Sequence, residues 1–332
     1  MNYSGNTTAK RSSIMHKQLS SLGVGLLTLL GSASALAATP PLVGPDWLSD
    51  RVENSDIAVL DVRSAIDDGD KIAFADGHIP GAVDAGYTSH PWRATQDDVV
   101  GKLPPVDELE TLIGSLGVEN GDTVVVVPAG TGPTDFGSAA RIYWTFKTLG
   151  HDDVTILNGG YQGWVASGES VATGLVSPEQ TSFSADLRQS MLVSTDAIEN
   201  ADTRGLQLVD ARPSDYFKGE TKHPEAAAAG TIPDAVNLEH QRFFSNDDVW
   251  RFDESSVSSI VDGITLDADR RPVSFCNTGH WASTTWFALS EIEGVDNVGL
   301  YDGSMVEWTA NESRPVAVAK RGLARILEFF GG

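Results

Sequence analysis

The chain has 332 residues but a single cysteine, Cys276. An internal disulfide is therefore excluded, and a lone thiol is either buried or used. Its seven histidines show no ligand spacing, and with one thiol a structural zinc site has no basis. A glycine-rich phosphate loop ending in Lys-Ser/Thr is missing, as is a dinucleotide fingerprint. The expectation is chemistry that needs neither a metal nor an organic cofactor. Basic residues are also scarce: Lys and Arg total 23 against 46 Asp and Glu, for a formal net charge of -23. Nucleic acid and anionic membrane surfaces call for a basic footprint, so neither is an expected partner. A small anionic substrate would need a local positive patch against this background. An acidic surface also serves solubility, and that reading suffices for most of the charge.

Long apolar runs are lacking too. Leu19 to Leu30 is apolar but short, interrupted by Ser and Gly, and followed by Pro40-Pro41. Lys10, Arg11 and Lys17 precede it, and Ala35-Leu36-Ala37 has the small-x-small form of a cleavage site. Residues 1–37 thus read as a removable signal peptide. The mature protein is expected to be periplasmic or secreted, without a stable membrane anchor after processing.

What is present is a pattern given twice. Ile57-Ala58-Val59-Leu60-Asp61 is a buried strand leading into Asp61-Val62-Arg63, followed by Gly77-His78-Ile79-Pro80-Gly81. A helix is expected over Val106 to Leu116, a strand over Thr123 to Val127, a helix over Arg141 to Leu149 and a strand over Val154 to Leu157. Asn158-Gly159-Gly160 and Trp164 close the series. The same order returns about 150 residues later, a domain-sized repeat. Its members are Asp210-Ala211-Arg212, Gly230-Thr231-Ile232-Pro233, a strand at Val273 to Phe275, Asp302-Gly303 and Trp308. Short buried strands alternating with helices define an α/β class, with a mainly parallel sheet flanked by helices in each half. The expected organisation is a first domain over 38–170, a Ser/Thr-rich linker over 171–190 and a second domain over 191–332. The two Asp-x-Arg pairs read as structural ion pairs, because both halves keep them. His78 and Asp84 read as loop-fixing residues.

The halves differ where chemistry is expected. Aligned strand ends place Pro128 opposite Cys276, so the second half is the working domain. Pro272-Val273-Ser274-Phe275-Cys276-Asn277-Thr278-Gly279-His280-Trp281-Ala282 reads as strand, tight loop and helix start. Sites in parallel sheets lie at the carboxyl ends of strands. Loop and helix-start N–H groups lack intrahelical partners and favour a thiolate at Cys276. Ala282, Trp286, Leu289 and Ile292 carry the helix period. Gly279 permits the tight curl, and Asn277 and Thr278 add polar groups.

This duplicated pattern, with a single Cys-opened loop in the second half, resembles the tandem-domain rhodanese family of sulfurtransferases over nearly the whole mature chain. The resemblance implies two rhodanese-like domains, the first non-catalytic. It also implies transfer of a sulfane sulfur from a small anionic donor, thiosulfate or 3-mercaptopyruvate, through a persulfide on Cys276. The acceptor would be cyanide, a small thiol or a protein thiol. Thiosulfate is the working donor and 3-mercaptopyruvate the rival. Asn277 and Thr278 stand where thiosulfate-type enzymes often place Arg and Lys. Tyr216 stands where both types commonly have a substrate arginine. Lys218 and Arg242 are the residues expected to supply that charge, with Lys222 and His223 as further sources. His280 is a candidate donor to a substrate anion, and Trp281 a candidate pocket wall. A cysteine phosphatase is disfavoured, because the residue six after Cys276 is Ala282 and not a clamping arginine. A sulfur carrier or interaction module with little small-molecule turnover is the alternative from another class.

Overall fold

The computed structural model describes residues 39–318. The segment read as a signal peptide lies outside them. Among the described residues no helix is long and apolar enough to cross a membrane.

Each half is built on a parallel sheet. In the first, the strand order is Leu42–Val43, Val154–Leu157, Thr123–Val127, Ile57–Asp61, Val83–Asp84. In the second it is Gly299–Leu300, Arg271–Phe275, Leu206–Asp210, Val236–Asn237. Val124 to Val127 and Val273 to Phe275 are buried, as expected of strands covered on both faces. The repeat extends to single hydrogen bonds. Trp164 Nε1 donates to the Ser170 carbonyl at 2.8 Å, and Trp308 Nε1 to the Pro315 carbonyl at 2.9 Å. Arg63 and Arg212 each grip the aspartate two residues earlier at 2.6 Å, and each donates to a glycine carbonyl, Gly77 or Gly230, at 2.7 Å. These are the structural pairs the sequence implies.

The helix expected over Arg141 to Leu149 begins earlier, at Pro133, and runs to Thr148. Proline suits a first helical turn, where its missing N–H costs nothing. The small residues that follow hide the period. They are small because this helix is buried on two sides, against its own sheet and against the helix His280–Phe287 of the second half. Tyr143 meets Phe287 edge-on at 5.0 Å, and Phe136 meets it at 5.8 Å. A Cβ on Gly137 would sit 2.7 Å from His280 Nε2, so glycine sets how closely the helices approach.

Each half also sends a hairpin onto the other. Ala94–Gln96 with Val99–Lys102 reaches the second half, where the Leu103 amide donates to Asp302 at 2.8 Å. Phe244–Asn246 with Trp250–Phe252 reaches back, and the Phe252 amide donates to Asn158 at 2.9 Å. Asn158 and Asp302 occupy matching positions in the repeat. The segment between the halves lies along the first one: the Thr181 and Asp186 amides donate to the Gly114 and Leu149 carbonyls, and Phe183 is buried.

Candidate active site

Cys276 follows the last residue of the strand Arg271–Phe275, and the chain then curls through Asn277 and Thr278 to Gly279. Gly279 has φ +73°, and a Cβ there would land on the Arg141 guanidinium. Ser304 braces the curl from beneath. Its Oγ accepts the Cys276 amide at 3.0 Å and the Gly279 amide at 3.2 Å, while its own hydroxyl donates to the Tyr301 carbonyl at 2.8 Å. Ser304 has φ +51°, the left-handed conformation that Gly160 takes in the first half at +56°. Among the described residues the amides of Asn277 and Thr278 have no hydrogen-bond acceptor.

Cys276 is 1% exposed, more enclosed than its position at the opening of a polar loop implies. Its access is a cavity of about 180 Å³ that it lines together with Ile66, Arg93, Thr134, His223, Asn277, Thr278, His280 and Trp281. A groove of about 840 Å³, lined by Leu187, Arg204 and Arg271 among others, is far larger. It lies toward the amino end of the same strand, away from Cys276, so the smaller cavity is the one that serves the thiol.

The expected site residues are placed as follows. Asn277 is buried, with its Oδ1 facing the Arg212 guanidinium at 3.4 Å. Thr278 packs on Gly101 of the first half's hairpin. His280 is held across the domain boundary, with Nδ1 2.9 Å from the Tyr87 hydroxyl and Nε2 2.8 Å from the Thr134 carbonyl. A carbonyl only accepts, so Nε2 carries the proton and Nδ1 accepts from Tyr87. Burial pushes the His280 pKa down to about 3, and Arg93 adds to this. Both ring nitrogens are thus committed to the domain interface. Trp281 Nε1 donates to Thr134 Oγ1 at 3.3 Å, and its ring stacks on His240 at 4.7 Å. Tyr216 meets the edge of Trp281 at 5.7 Å.

Lys218 and Arg242, the expected sources of charge, are exposed and do not line the cavity. The Arg242 guanidinium approaches Gly263 instead. The Lys222 ammonium is bonded to the Ala226 carbonyl. Of the four basic side chains weighed, only His223 reaches the cavity. The cation that does line it is Arg93, from the first half, which the repeat pattern does not mark.

Arg141 is a second long-range contribution. It is fully buried on the helix Pro133–Thr148, and it donates to the Gly279 carbonyl at 3.3 Å and the Gly101 carbonyl at 3.0 Å. Its Asp302 partner is 3.9 Å away. The first half's own loop, after Thr123–Val127, carries no cysteine and no nucleophile of comparable strength. There the Asp135 carboxylate sits in the loop and accepts the amides of Ala129 at 3.1 Å, Gly130 at 2.7 Å and Thr131 at 3.3 Å. Burial pushes the Asp135 pKa up to about 7 although these amides pull it down. The loop architecture that presents Cys276 in one half therefore binds an internal carboxylate in the other.

Two α/β domains, one with a cysteine-opened loop at a strand end and one without, define a tandem sulfurtransferase fold. The Rhodanese-like domain family matches residues 44–167 and 194–311, and the chain belongs to that family. It is 30% identical over 281 residues to a Haloferax volcanii protein named "Putative thiosulfate sulfurtransferase", covering 83% of this chain and 95% of that one. It is also 30% identical over 288 residues to the sulfur carrier protein TtuD of Thermus thermophilus, covering 83% and 96%. Among solved structures, the 3-mercaptopyruvate sulfurtransferase SseA of Escherichia coli superposes with a TM-score of 0.64 at 26% identity, covering 82% of this chain and all of SseA.

Proposed function

We propose that the protein moves a sulfane sulfur from thiosulfate to a thiophilic acceptor, cyanide or a thiol, through a persulfide on Cys276. The observation that carries this reading is the placement of the chain's one cysteine. It stands at a strand end, on the wall of a small cavity, in a loop with two unengaged amides. The Cys276 thiolate attacks the outer sulfur of thiosulfate. A Cys–S–S bond forms, the S–S bond of the donor breaks, and its electron pair leaves with sulfite. Attack of cyanide or a thiolate on the outer sulfur then returns the Cys276 thiolate, so one transfer becomes two easier steps. The amides of Asn277 and Thr278 are available to a persulfide anion or to the departing group.

Two further readings have specific support. The likeness to SseA favours 3-mercaptopyruvate as donor, with pyruvate leaving. The relation to TtuD favours a carrier that hands its sulfur to a protein thiol. Thiocyanate formation with each donor, compared with single-turnover loading, separates the three. A Cys276→Ser variant is expected to fold and to lose transfer entirely, and retained transfer would refute the mechanism. The leader-like residues 1–37 support export to the periplasm. Amino-terminal sequencing of the protein from a cell-envelope fraction tests this, with a start at Ala38 expected.

A further inference from the structure

We infer that Arg93 of the first domain and His223 of the second together hold the anionic end of the sulfur donor, a sulfonate or a carboxylate, across the domain boundary. The inference rests on the persulfide reading for its substrate but on the cavity's own geometry for its residues. A thiolate meeting thiosulfate brings three negative charges together in a chain already at -23, so the cavity needs a compensating cation. Tyr216, Lys218, Lys222 and Arg242 do not provide one there. Arg93 lines the cavity with Cys276, and no carboxylate lies within ion-pairing range of it among the described residues. Its guanidinium rests over the Tyr87 ring at 4.6 Å. Stacking of this kind restrains a guanidinium while leaving its N–H edge free for a bidentate anion. Tyr87 is itself fixed, being buried with its hydroxyl on His280. His223 Nδ1 accepts the Glu225 amide at 3.2 Å, so the neutral ring carries its proton on Nε2, a donor. The first domain, although it lacks a nucleophile, thereby supplies the charge that recognises the substrate.

The full-length purified protein tests this in two ways. First, Cys276 is alkylated with iodoacetate, an anion, and with iodoacetamide, its neutral counterpart. In Arg93→Met the rate with iodoacetate should fall about ten-fold while that with iodoacetamide holds, because one charge-assisted contact is lost. Arg93→Lys should recover part of it, and His223→Ala should show a smaller loss with the same charge selectivity. Second, the KM for thiosulfate and for 3-mercaptopyruvate is measured separately. It should rise about ten-fold in Arg93→Met with kcat changed much less. The donor showing the larger rise identifies the anionic group that Arg93 contacts. An unchanged ratio of the two alkylation rates overturns the inference, whatever the turnover. A fallen ratio in a protein that neither donor loads with sulfur leaves the anion clamp standing and removes the persulfide reading.

Discussion

Gly279→Ala probes how tightly the reactive loop is wound. A side chain there must adopt a left-handed φ and also displace the Arg141 guanidinium. A loss of at least about 2 kcal/mol in unfolding free energy is expected, measured in urea. His280 makes a pH-dependent contribution of known sign. Its folded pKa is about 3, below the unfolded value near 6.5, so protons favour the unfolded state between these limits. The wild type should therefore gain stability relative to His280→Gln as pH rises from 4 to about 6.5, and the difference should level off above it. Urea midpoints across that range give the answer, and a difference independent of pH would contradict the buried neutral imidazole. Cys276 and the curl at Gly279 are legible in the sequence because residue type and local order announce them. Tyr87 and Arg93 are not, since they reach the loop from far along the chain, Tyr87 from 193 residues away. Ser304 lies between these cases: the repeat aligns it with Gly160, and a serine replacing a left-handed glycine is a departure that could have marked it.

Elements couple through Asp302. Its carboxylate meets the Lys102 ammonium at 2.8 Å, the Leu103 amide at 2.8 Å and, more distantly, Arg141. Asp302→Asn keeps the shape but leaves the buried Arg141 without its carboxylate and Lys102 with Glu307 alone, at 2.9 Å. A cost of about 2–3 kcal/mol is expected from chemical denaturation. Cys276 alkylation should also quicken, because Arg141 and the hairpin no longer pin the loop. The central strands Ile57–Asp61, Thr123–Val127, Val154–Leu157 and Arg271–Phe275 are legible as apolar runs within two residues, since a buried parallel strand is apolar on both faces, whereas the two-residue strands Leu42–Val43, Val83–Asp84 and Val236–Asn237 are too short to show a pattern. Only the second half of the helix Pro133–Thr148 is legible, because burial on two sides replaces an apolar stripe with small residues along its first turns. The hairpins leave no signal in the sequence. Their strands are three or four residues long, and the other domain holds them in place more than their own sequence does.

At the scale of the molecule, the two domains share one core. A single cluster joins Val124, Phe136 and Trp144 of the first to Phe252, Trp286 and Leu300 of the second. Calorimetry should therefore record one cooperative transition, and two separated transitions would show that the shared core contributes little. The duplication was legible as a repeated order of motifs, but the contact between its copies was not, because pattern within a chain carries no information on which surfaces meet. The central claim concerns sulfur on Cys276. Purified protein is incubated with thiosulfate, or separately with 3-mercaptopyruvate, and its intact mass is recorded before and after cyanide. The account predicts a gain of one sulfur atom, confined to Cys276 and removed by cyanide. No gain with either donor, or a gain that persists in Cys276→Ser, would contradict it.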